Sequence, residues 1–214
     1  MRTPWTIAVL GAGAWGTALG ATMLTSGHRA KLWARDEALA LAINADHINE
    51  RYLPGLMLDQ QLAATNSMEN ALKNADCILA VTPAQTLRAV LADAGPHVPK
   101  GVPIVLCAKG IERETGRLMS EIASEMLPEN PVAALSGPSF ASDLARGLPT
   151  AVTVAAKNAG LAMTLAEQLS APRLRCYSTD DLTGVEIGGA LKNVLAIAAG
   201  ATHGAGLAPA HRQR

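Results

Sequence analysis

The sequence predicts an α/β protein in which helices cover both faces of a mostly parallel sheet. Short apolar runs alternate with helical patterns along most of the chain, and the runs are apolar on both faces. Strands of that kind are typical of parallel sheets buried between two layers of helices. A glycine-rich turn directly after the first run adds a third indication of this class.

The predicted strands and helices alternate up to about residue 180. The predicted strands are Thr6 to Gly11, Ala30 to Ala34, Cys77 to Val81, Ile104 to Ala108, Val132 to Ser136 and Ala151 to Ala156. The predicted helices are Trp15 to Ser26, Asp36 to Asp46, Met68 to Asn74, Ala84 to Ala94, Glu114 to Met126 and Asn158 to Leu169. A long apolar helix from Leu182 to Ala201 follows, with no further strand. We therefore expect one domain over residues 1–180 and the start of an all-α domain over 181–214.

Composition excludes several classes of partner. The 214 residues carry 18 basic and 18 acidic side chains, and only 3% are aromatic. This balance argues against nucleic acid or an anionic membrane as a partner. Cys77, Cys107 and Cys176 lie far apart in apolar runs, which indicates buried strand thiols and no disulfide or metal site. No stretch has the length and polarity of a membrane span, and a reducing cytoplasm is the expected location.

The glycine-rich turn has the spacing of a dinucleotide-binding loop. In "VLGAGAWGTALG", Gly11, Gly13 and Gly16 form a G-x-G-x-x-G between a predicted strand and a predicted helix. The first glycine permits the tight turn, the second lets a pyrophosphate approach the backbone, and the third lets helix and strand pack closely. The sheet is then of the doubly wound Rossmann type, with the pyrophosphate at the helix N-terminus. The alternative is a glycine turn of structural origin.

The end of the second predicted strand bears on the choice of cofactor. An NAD site usually offers an acidic residue there, whereas "LWARDE" places Arg35 before Asp36. An arginine can pair with the 2′-phosphate of NADP or stack on adenine. The sequence therefore predicts NADP preference or dual use, and the alternative is an ordinary surface arginine.

One lysine lies on a helix face that is otherwise made of small residues. Positions three and four apart share a face of a helix. In "GVEIGGALKN" and the residues after it, that face comprises Val185, Gly188, Gly189, Lys192, Ala196 and Ala199. Two glycines inside a helix cost about 0.5–1 kcal/mol each relative to alanine, which suggests that a ligand approaches the backbone. The alternative is a solvated surface lysine.

Seven segments in chain order resemble the bacterial-type NAD(P)-dependent glycerol-3-phosphate dehydrogenases. The segments are "GAGAWGTALG", "NERYLPG", "VTPAQ", "AKGIE", "SGPSFASD", "GLPTAV" and "GVEIGGALKNVLAIAAG". The resemblance implies reversible hydride transfer between NAD(P)H and dihydroxyacetone phosphate, which yields sn-glycerol 3-phosphate for phospholipid synthesis.

The resemblance also implies roles for individual residues. Ala14, Trp15, Arg35 and the backbone of Ala141 would contact the cofactor, in addition to the three glycines of the loop. Lys109 would touch both cofactor and substrate, and Lys192 would be the proton donor and acceptor. Substrate contacts are implied for Lys109, Gly137, Ser139, Lys192 and Asn193. Lys109 would also stabilise the oxyanion that develops as the ketone is reduced.

The sequence departs from the family pattern at its C-terminal end. From Gly204 it reads "GAGLAPAHRQR", whereas the family continues into a helical domain that supplies an Arg-Asn pair for the substrate phosphate. We therefore expect these 214 residues to bind NAD(P)H, to self-associate, as in a homodimer, and to turn over weakly or not at all. The alternative from another class is a dinucleotide-binding module without turnover.

Overall fold

The computed structural model describes residues 3–206, apart from the side chain of Asn193. Its strands are β1 (Thr6–Leu10), β2 (Arg29–Trp33), β3 (Ile48–Asn49), β4 (Leu53–Met57), β5 (Ala63–Thr65), β6 (Cys77–Ala80), β7 (Ile104–Leu106), β8 (Val132–Ser136), β9 (Thr150–Ala155) and β10 (Leu174–Thr179). Its α-helices are α1 (Ala14–Thr25), α2 (Glu37–Asp46), α3 (Met68–Leu72), α4 (Leu87–Ala94), α5 (Met119–Met126), α6 (Ala141–Ala145), α7 (Ala159–Leu169) and α8 (Leu182–Gly204).

Eight strands form one sheet in the order β10-β9-β8-β7-β6-β1-β2-β5, and β3 and β4 form a separate antiparallel pair. From β5 to β8 every pairing is parallel, which confirms the predicted doubly wound, mostly parallel sheet. The chain leaves β1 toward β2 on one side and returns to β6 on the other. Ligands of such sheets bind at this switch point, beyond the carboxyl ends of the strands.

The core is divided between the two faces of the sheet. In β1, Ile7 and Val9 pack on the face that carries α1, α2, α6 and α7. Ala8 and Leu10 pack on the other face, with α3, α4 and α5. The alternation follows from the two-residue period of a strand. All three cysteines are buried, and Cys107 lies just after β7 instead of within a strand. Burial raises the pKa of the Cys107 thiol to about 12.

Four details of the fold differ from the sequence-based expectation. β9 is antiparallel to β8, and the edge strand β10, for which no bounds were predicted, is parallel to β9. The helix expected from Glu114 begins only at Met119, because Gly116 adopts a φ of 70° and closes a turn on Glu112. Short elements such as α6 were also not predicted.

The long helix predicted from Leu182 is α8, which extends to Gly204 with no strand after it in the described residues. Several of its large apolar side chains are exposed, namely Ile187, Leu191, Val194, Leu195 and Ile197. The placement of a domain boundary at residue 180 stays a prediction. Within residues 3–206, no single helix is long and apolar enough to cross a membrane. The two parts of α8, Leu182–Lys192 and Val194–Gly204, meet at 43°, and only together do they have the length and composition of a membrane span.

Candidate functional site

The loop after β1 is shaped by contacts that only glycine allows. Gly11 has a φ of +119°, and a Cβ on Gly16 would lie 1.9 Å from the carbonyl oxygen of Gly11. Gly13, the N-cap of α1, has open space where its Cβ would be, and no side chain caps the helix. The protein thus leaves room beside the first turn of α1, where the N-H groups and the positive end of the helix dipole favour an anion. This cradle fits the pyrophosphate of a dinucleotide.

Asn49 stabilises the glycine loop through two side-chain hydrogen bonds. Its side chain is fully buried, and Nδ2 donates to the carbonyl oxygen of Ala12 at 2.9 Å and to Oγ1 of Thr17 at 2.8 Å. These bonds tie the glycine loop to the first part of α1. Asn49 opens the segment "NERYLPG", so its motif was noticed in the sequence but its role was not.

At the end of β2, the acidic residue serves the protein itself. Asp36 caps α2 by accepting from the N-H of Ala38 at 3.0 Å, and it pairs with Nη1 of Arg51 at 3.3 Å. Arg35 precedes it and is exposed. Ala14 and Trp15 lie in the first turn of α1, and both are partly buried against the core. The arrangement leaves Arg35 as the side chain at this strand end that is available to a ligand phosphate.

A second group of predicted residues meets at a cavity of about 280 Å³ between α8 and the ends of β8 and β9. The cavity is lined by Ser136, Gly137, Pro138, Thr153, Gly184, Val185, Gly188, Gly189 and Lys192. Gly137 must be a glycine, because a Cβ there would lie 2.9 Å from the carbonyl oxygen of Ala151. Two predicted contacts lie next to this lining: the N-H of Ser139 donates to the oxygen of Gly137 at 3.0 Å, and Ala141 begins α6.

Two ammonium groups lie at this cavity: Lys192 is part of its lining, and Lys109 bonds to the lining residue Gly137. Nζ of Lys109 donates to the carbonyl oxygen of Gly137 at 3.0 Å. The pKa of Lys109 is lowered, first by partial burial and then by the nearby ammonium of Lys192. Nζ of Lys192 also lies 5.6 Å from the centre of the Phe140 ring, a cation-π distance. Such a pair of cations can stabilise an oxyanion or a phosphate and can exchange a proton with it.

The two groups of residues share one edge of the sheet. Arg35, the glycine loop and Lys109 follow the carboxyl ends of β2, β1 and β7, which are parallel strands. The strand order places Arg35 and Lys109 on opposite sides of the switch point. Four strand intervals separate β2 from β8, which is about 19 Å at 4.8 Å per interval. An extended ligand can therefore lie across the loop and reach the two lysines.

Sequence reasoning missed several residues near the cavity. Ser136 and Phe140 lie within "SGPSFASD", and Glu186 lies within the motif of α8, so the motifs marked their neighbourhood. Thr153 follows "GLPTAV" and carried no signal of its own. The side chain of Asn193, a predicted substrate contact, lies outside the described part of the structure.

The fold and the site together define the class, a Rossmann-type dinucleotide-binding protein with a lysine-lined cavity at the far end of the cofactor cradle. Residues 6–162 match the family model for the N-terminus of NAD-dependent glycerol-3-phosphate dehydrogenase, and residues 181–213 match the model for its C-terminus. The chain belongs to the NAD-dependent glycerol-3-phosphate dehydrogenase family, which confirms the resemblance stated from its motifs.

Individual relatives agree with this assignment. The chain is 68% identical over 207 residues to a glycerol-3-phosphate dehydrogenase [NAD(P)+] of Chelativorans sp., covering 97% of this chain and 63% of the relative. Its identity to the enzyme of the same name from Mesorhizobium japonicum is 61%, covering 96% of this chain and 60% of the relative. The crystal structure of glycerol-3-phosphate dehydrogenase from Coxiella burnetii superposes with a TM-score of 0.87 at 35% identity, covering 96% of this chain and 63% of that one. The chain thus spans 63% and 60% of the length of the two curated relatives.

Proposed function

We propose that this chain binds NAD or NADP along the carboxyl edge of its sheet and interconverts dihydroxyacetone phosphate and sn-glycerol 3-phosphate. The observation that carries the proposal is that Lys192 lines the cavity at the far end of the glycine cradle and lies beside Lys109, which bonds to Gly137 of the same lining. Family membership supports both the cofactor and the substrate. The product would supply phospholipid synthesis in the cytoplasm.

The cofactor would be held by the residues of the first two βα units. The pyrophosphate would lie beside Gly13 at the start of α1, and Arg35 would meet the adenosine end, including the 2′-phosphate of NADP. Ala14 and Trp15 would line its path, and the backbone of Ala141 would contact its far end. When bound, NAD(P)H supplies the hydride for reduction of the ketone.

The two lysines would divide the remaining chemistry. Reduction of a ketone leaves an alkoxide that needs a proton, and the reverse reaction removes that proton. Lys192 would donate and accept it at the carbonyl oxygen, because the small residues of its helix face let the substrate come close. Lys109 would stabilise the developing negative charge. Gly137, Ser139 and Asn193 would complete the substrate contacts.

We also propose a division of the chain into a cofactor domain over residues 1–180 and the start of a helical substrate domain over 181–214. The exposed apolar side chains of α8, such as Val194 and Ile197, are the surface that another domain or a second copy would cover. Self-association as a homodimer is the expected behaviour of the isolated chain. Sedimentation velocity over a range of protein concentrations measures it directly.

Two measurements on the 214-residue chain test the proposed function. NADH and NADPH are titrated by their fluorescence, and NADH consumption is followed with dihydroxyacetone phosphate. Because the chain spans 63% of its Chelativorans relative, turnover is also measured in a hybrid in which the unmatched part of that relative follows these residues. Binding together with turnover in the hybrid supports the dehydrogenase. Binding without turnover in either chain would favour a dinucleotide-binding module, and no binding would contradict both functions.

A further inference from the structure

The helix that carries Lys192 is attached to the rest of the protein by few side chains. Among the described side chains of α8, only Leu182 and Glu186 are buried, with 3% and 8% of their surface exposed. Their separation of four residues places them on one face of the helix. Leu182 packs on Ala134 and Ala155, in a small cluster of three buried residues. Val185, which is partly buried, packs against the same cluster, so the anchorage of α8 combines these two apolar side chains with one buried acidic side chain.

The acidic side chain is bonded to α5, far away in the sequence. One carboxylate oxygen of Glu186 accepts from the backbone N-H of Ser120 at 2.8 Å, and the other accepts from the Ser120 hydroxyl at 2.5 Å. Ser120 is the second residue of α5, so the carboxylate lies at the positive end of that helix. Bonds to a charged group are roughly twice as strong as bonds between neutral groups. This contact joins two helices whose bonded residues are 66 positions apart.

Burial of this carboxylate has a cost. Desolvation raises the pKa of Glu186, and the charge of Glu121 raises it further, while the bonds from Ser120 and the charge of Lys157 act in the opposite direction. A buried charge with imperfect compensation is a weak source of stability. A specific geometric role accounts better for a glutamate at this position.

We propose that Glu186 is a positioning residue that fixes the placement of α8 on the sheet and so holds Lys192 at the cavity beside Lys109. Lys192 lies six residues further along, about 9 Å at 1.5 Å per residue, and about a third of a turn around the helix. A helix transmits any rotation or shift at Glu186 to the lysine. The proposal rests on the function proposed above for its link to turnover, but the placement of α8 can be measured without it.

The first experiment measures the position of α8 by electron spin resonance. Spin labels are attached to cysteines introduced at Met163 on α7 and Leu191 on α8, both of which are exposed, whereas the native cysteines are buried. The labelled parent chain, diluted into an excess of unlabelled chain so that only distances within one copy are measured, should give one narrow distance distribution. Glu186→Ala should widen it at least twofold. Glu186→Gln should keep it narrow, because an amide can accept from the N-H of Ser120 and donate to its hydroxyl.

Two further variants keep the measurement decisive. Ile187→Ala makes the same change on the adjacent, largely exposed position, and it should leave the distribution unchanged. Ser120→Ala removes one of the two bonds and should give an intermediate width, which covers the case in which Glu186→Ala does not fold. A distribution that stays narrow in Glu186→Ala, or in Ser120→Ala if Glu186→Ala does not fold, would overturn the proposal.

Turnover of the same variants, made in the hybrid chain without labels, tests the link to Lys192. In Glu186→Ala, kcat should fall about 10- to 100-fold, since a displacement of about 1 Å can cost that much. NADH affinity should change by less than about threefold, and Glu186→Gln should restore most of kcat. Wider distances with unchanged turnover would overturn the link. A wider distance distribution in Glu186→Ala, together with no turnover in the parent hybrid, would support the positioning role and count against the proposed dehydrogenase function.

Discussion

The chain contains two glycine-rich segments, and their glycines are present for different reasons. In the loop after β1, the protein itself occupies the space beside Gly16, where a Cβ would meet the oxygen of Gly11 at 1.9 Å, whereas Gly13 has open space. On α8, no atom lies within 4 Å of a Cβ built on Gly188, and the nearest atom to one on Gly189 is the Ser136 hydroxyl oxygen at 3.0 Å. The folded chain therefore explains Gly16 but does not explain Gly188.

The difference indicates which glycines carry information about a ligand. A helix interior loses about 0.5–1 kcal/mol for each glycine that replaces alanine. Gly188 bears that cost with open space beside it, and it lines the cavity that holds Lys192. A bound molecule that uses the space would account for the glycine. The predictions below test whether the loop serves cofactor binding and the α8 segment serves turnover.

The largest effect is expected at Lys192. Lys192→Ala in the hybrid chain should lower kcat roughly 10²- to 10⁴-fold, because the proton donor and acceptor is lost. NADH affinity should stay within a few fold, since the cradle is at the other segment. Steady-state kinetics and a fluorescence titration on the same preparation separate the two effects. Near-normal turnover would remove Lys192 from the mechanism.

Arg35 should give the opposite pattern. Arg35→Ala should weaken NADPH binding more than NADH binding, by about 1.5–3 kcal/mol, the range for a hydrogen bond to a charged group. Saturating cofactor should restore kcat, because the two lysines are untouched. Parallel titrations with both cofactors make the comparison. Equal losses for NADH and NADPH would mean that Arg35 stacks on adenine or lies outside the site.

The loop can be tested with a matched pair of alanines. Gly16→Ala forces the backbone of Gly11 to move, and overpacking of this kind lowers the free energy of unfolding by roughly 1–3 kcal/mol. Cofactor affinity should fall as well, because the loop is displaced. Gly13 has a φ of −72° and open space where a Cβ would be. Gly13→Ala should therefore leave the free energy of unfolding unchanged, while NADH affinity falls because the methyl group occupies the space proposed for the pyrophosphate. Denaturant unfolding and NADH titration measure the two quantities. Unchanged affinity in Gly13→Ala would place the pyrophosphate elsewhere.

Most of the sheet could be predicted because its strands are buried on both faces. The runs "TIAVLG" and "CILAV" are continuous and apolar, and the structure places β1 and β6 within one residue of them. The edge strand β10 alternates between buried and exposed residues at its start; its Cys176 was expected to be a strand thiol, but no strand bounds were predicted around it. The reversed direction of β9 depends on pairings between distant residues, which no local pattern contains.

In the candidate site, too, the features that depend on nearby residues could be predicted and those that depend on distant residues could not. The glycine loop and the lysine of α8 could be predicted from local spacing, since each pattern depends on residues only a few positions apart in the sequence. The bond from Glu186 to Ser120 spans 66 positions, and the sequence shows only a glutamate in an apolar helix. Asn49 is similar, because the carbonyl that it supports belongs to the glycine loop, 37 residues earlier. Long-range polar contacts are what the sequence alone could not supply.

A smaller effect on stability, opposite in sign to that of Gly16→Ala, is expected on α8. Gly188→Ala should stabilise the chain by about 0.5–1 kcal/mol through helix propensity, because its Cβ meets no atom. The added methyl group would occupy part of the cavity, so turnover of the hybrid should fall about tenfold while its NADH affinity changes less. Gly200→Ala, further along the same helix and also in open space, is the control and should be stabilised without loss of turnover. Stabilisation with full turnover in both variants would show that the space beside Gly188 is not used.

The smallest effect concerns the pH dependence of stability through Glu186. Its pKa is raised in the folded chain by burial, so the folded state holds the proton more tightly than the unfolded state does. The stabilisation from this group is therefore complete below the ordinary glutamate pKa of about 4.3. It is lost as pH rises through the raised value, and it stays lost above that value.

Glu186→Gln keeps a neutral hydrogen-bonding side chain, so it should gain stability relative to the parent chain as pH increases from 4 to 8. Denaturant unfolding of both chains across this range measures the difference. A difference that is constant with pH, or that shrinks in the alkaline direction, would mean that the carboxylate is fully compensated by Ser120 and Lys157.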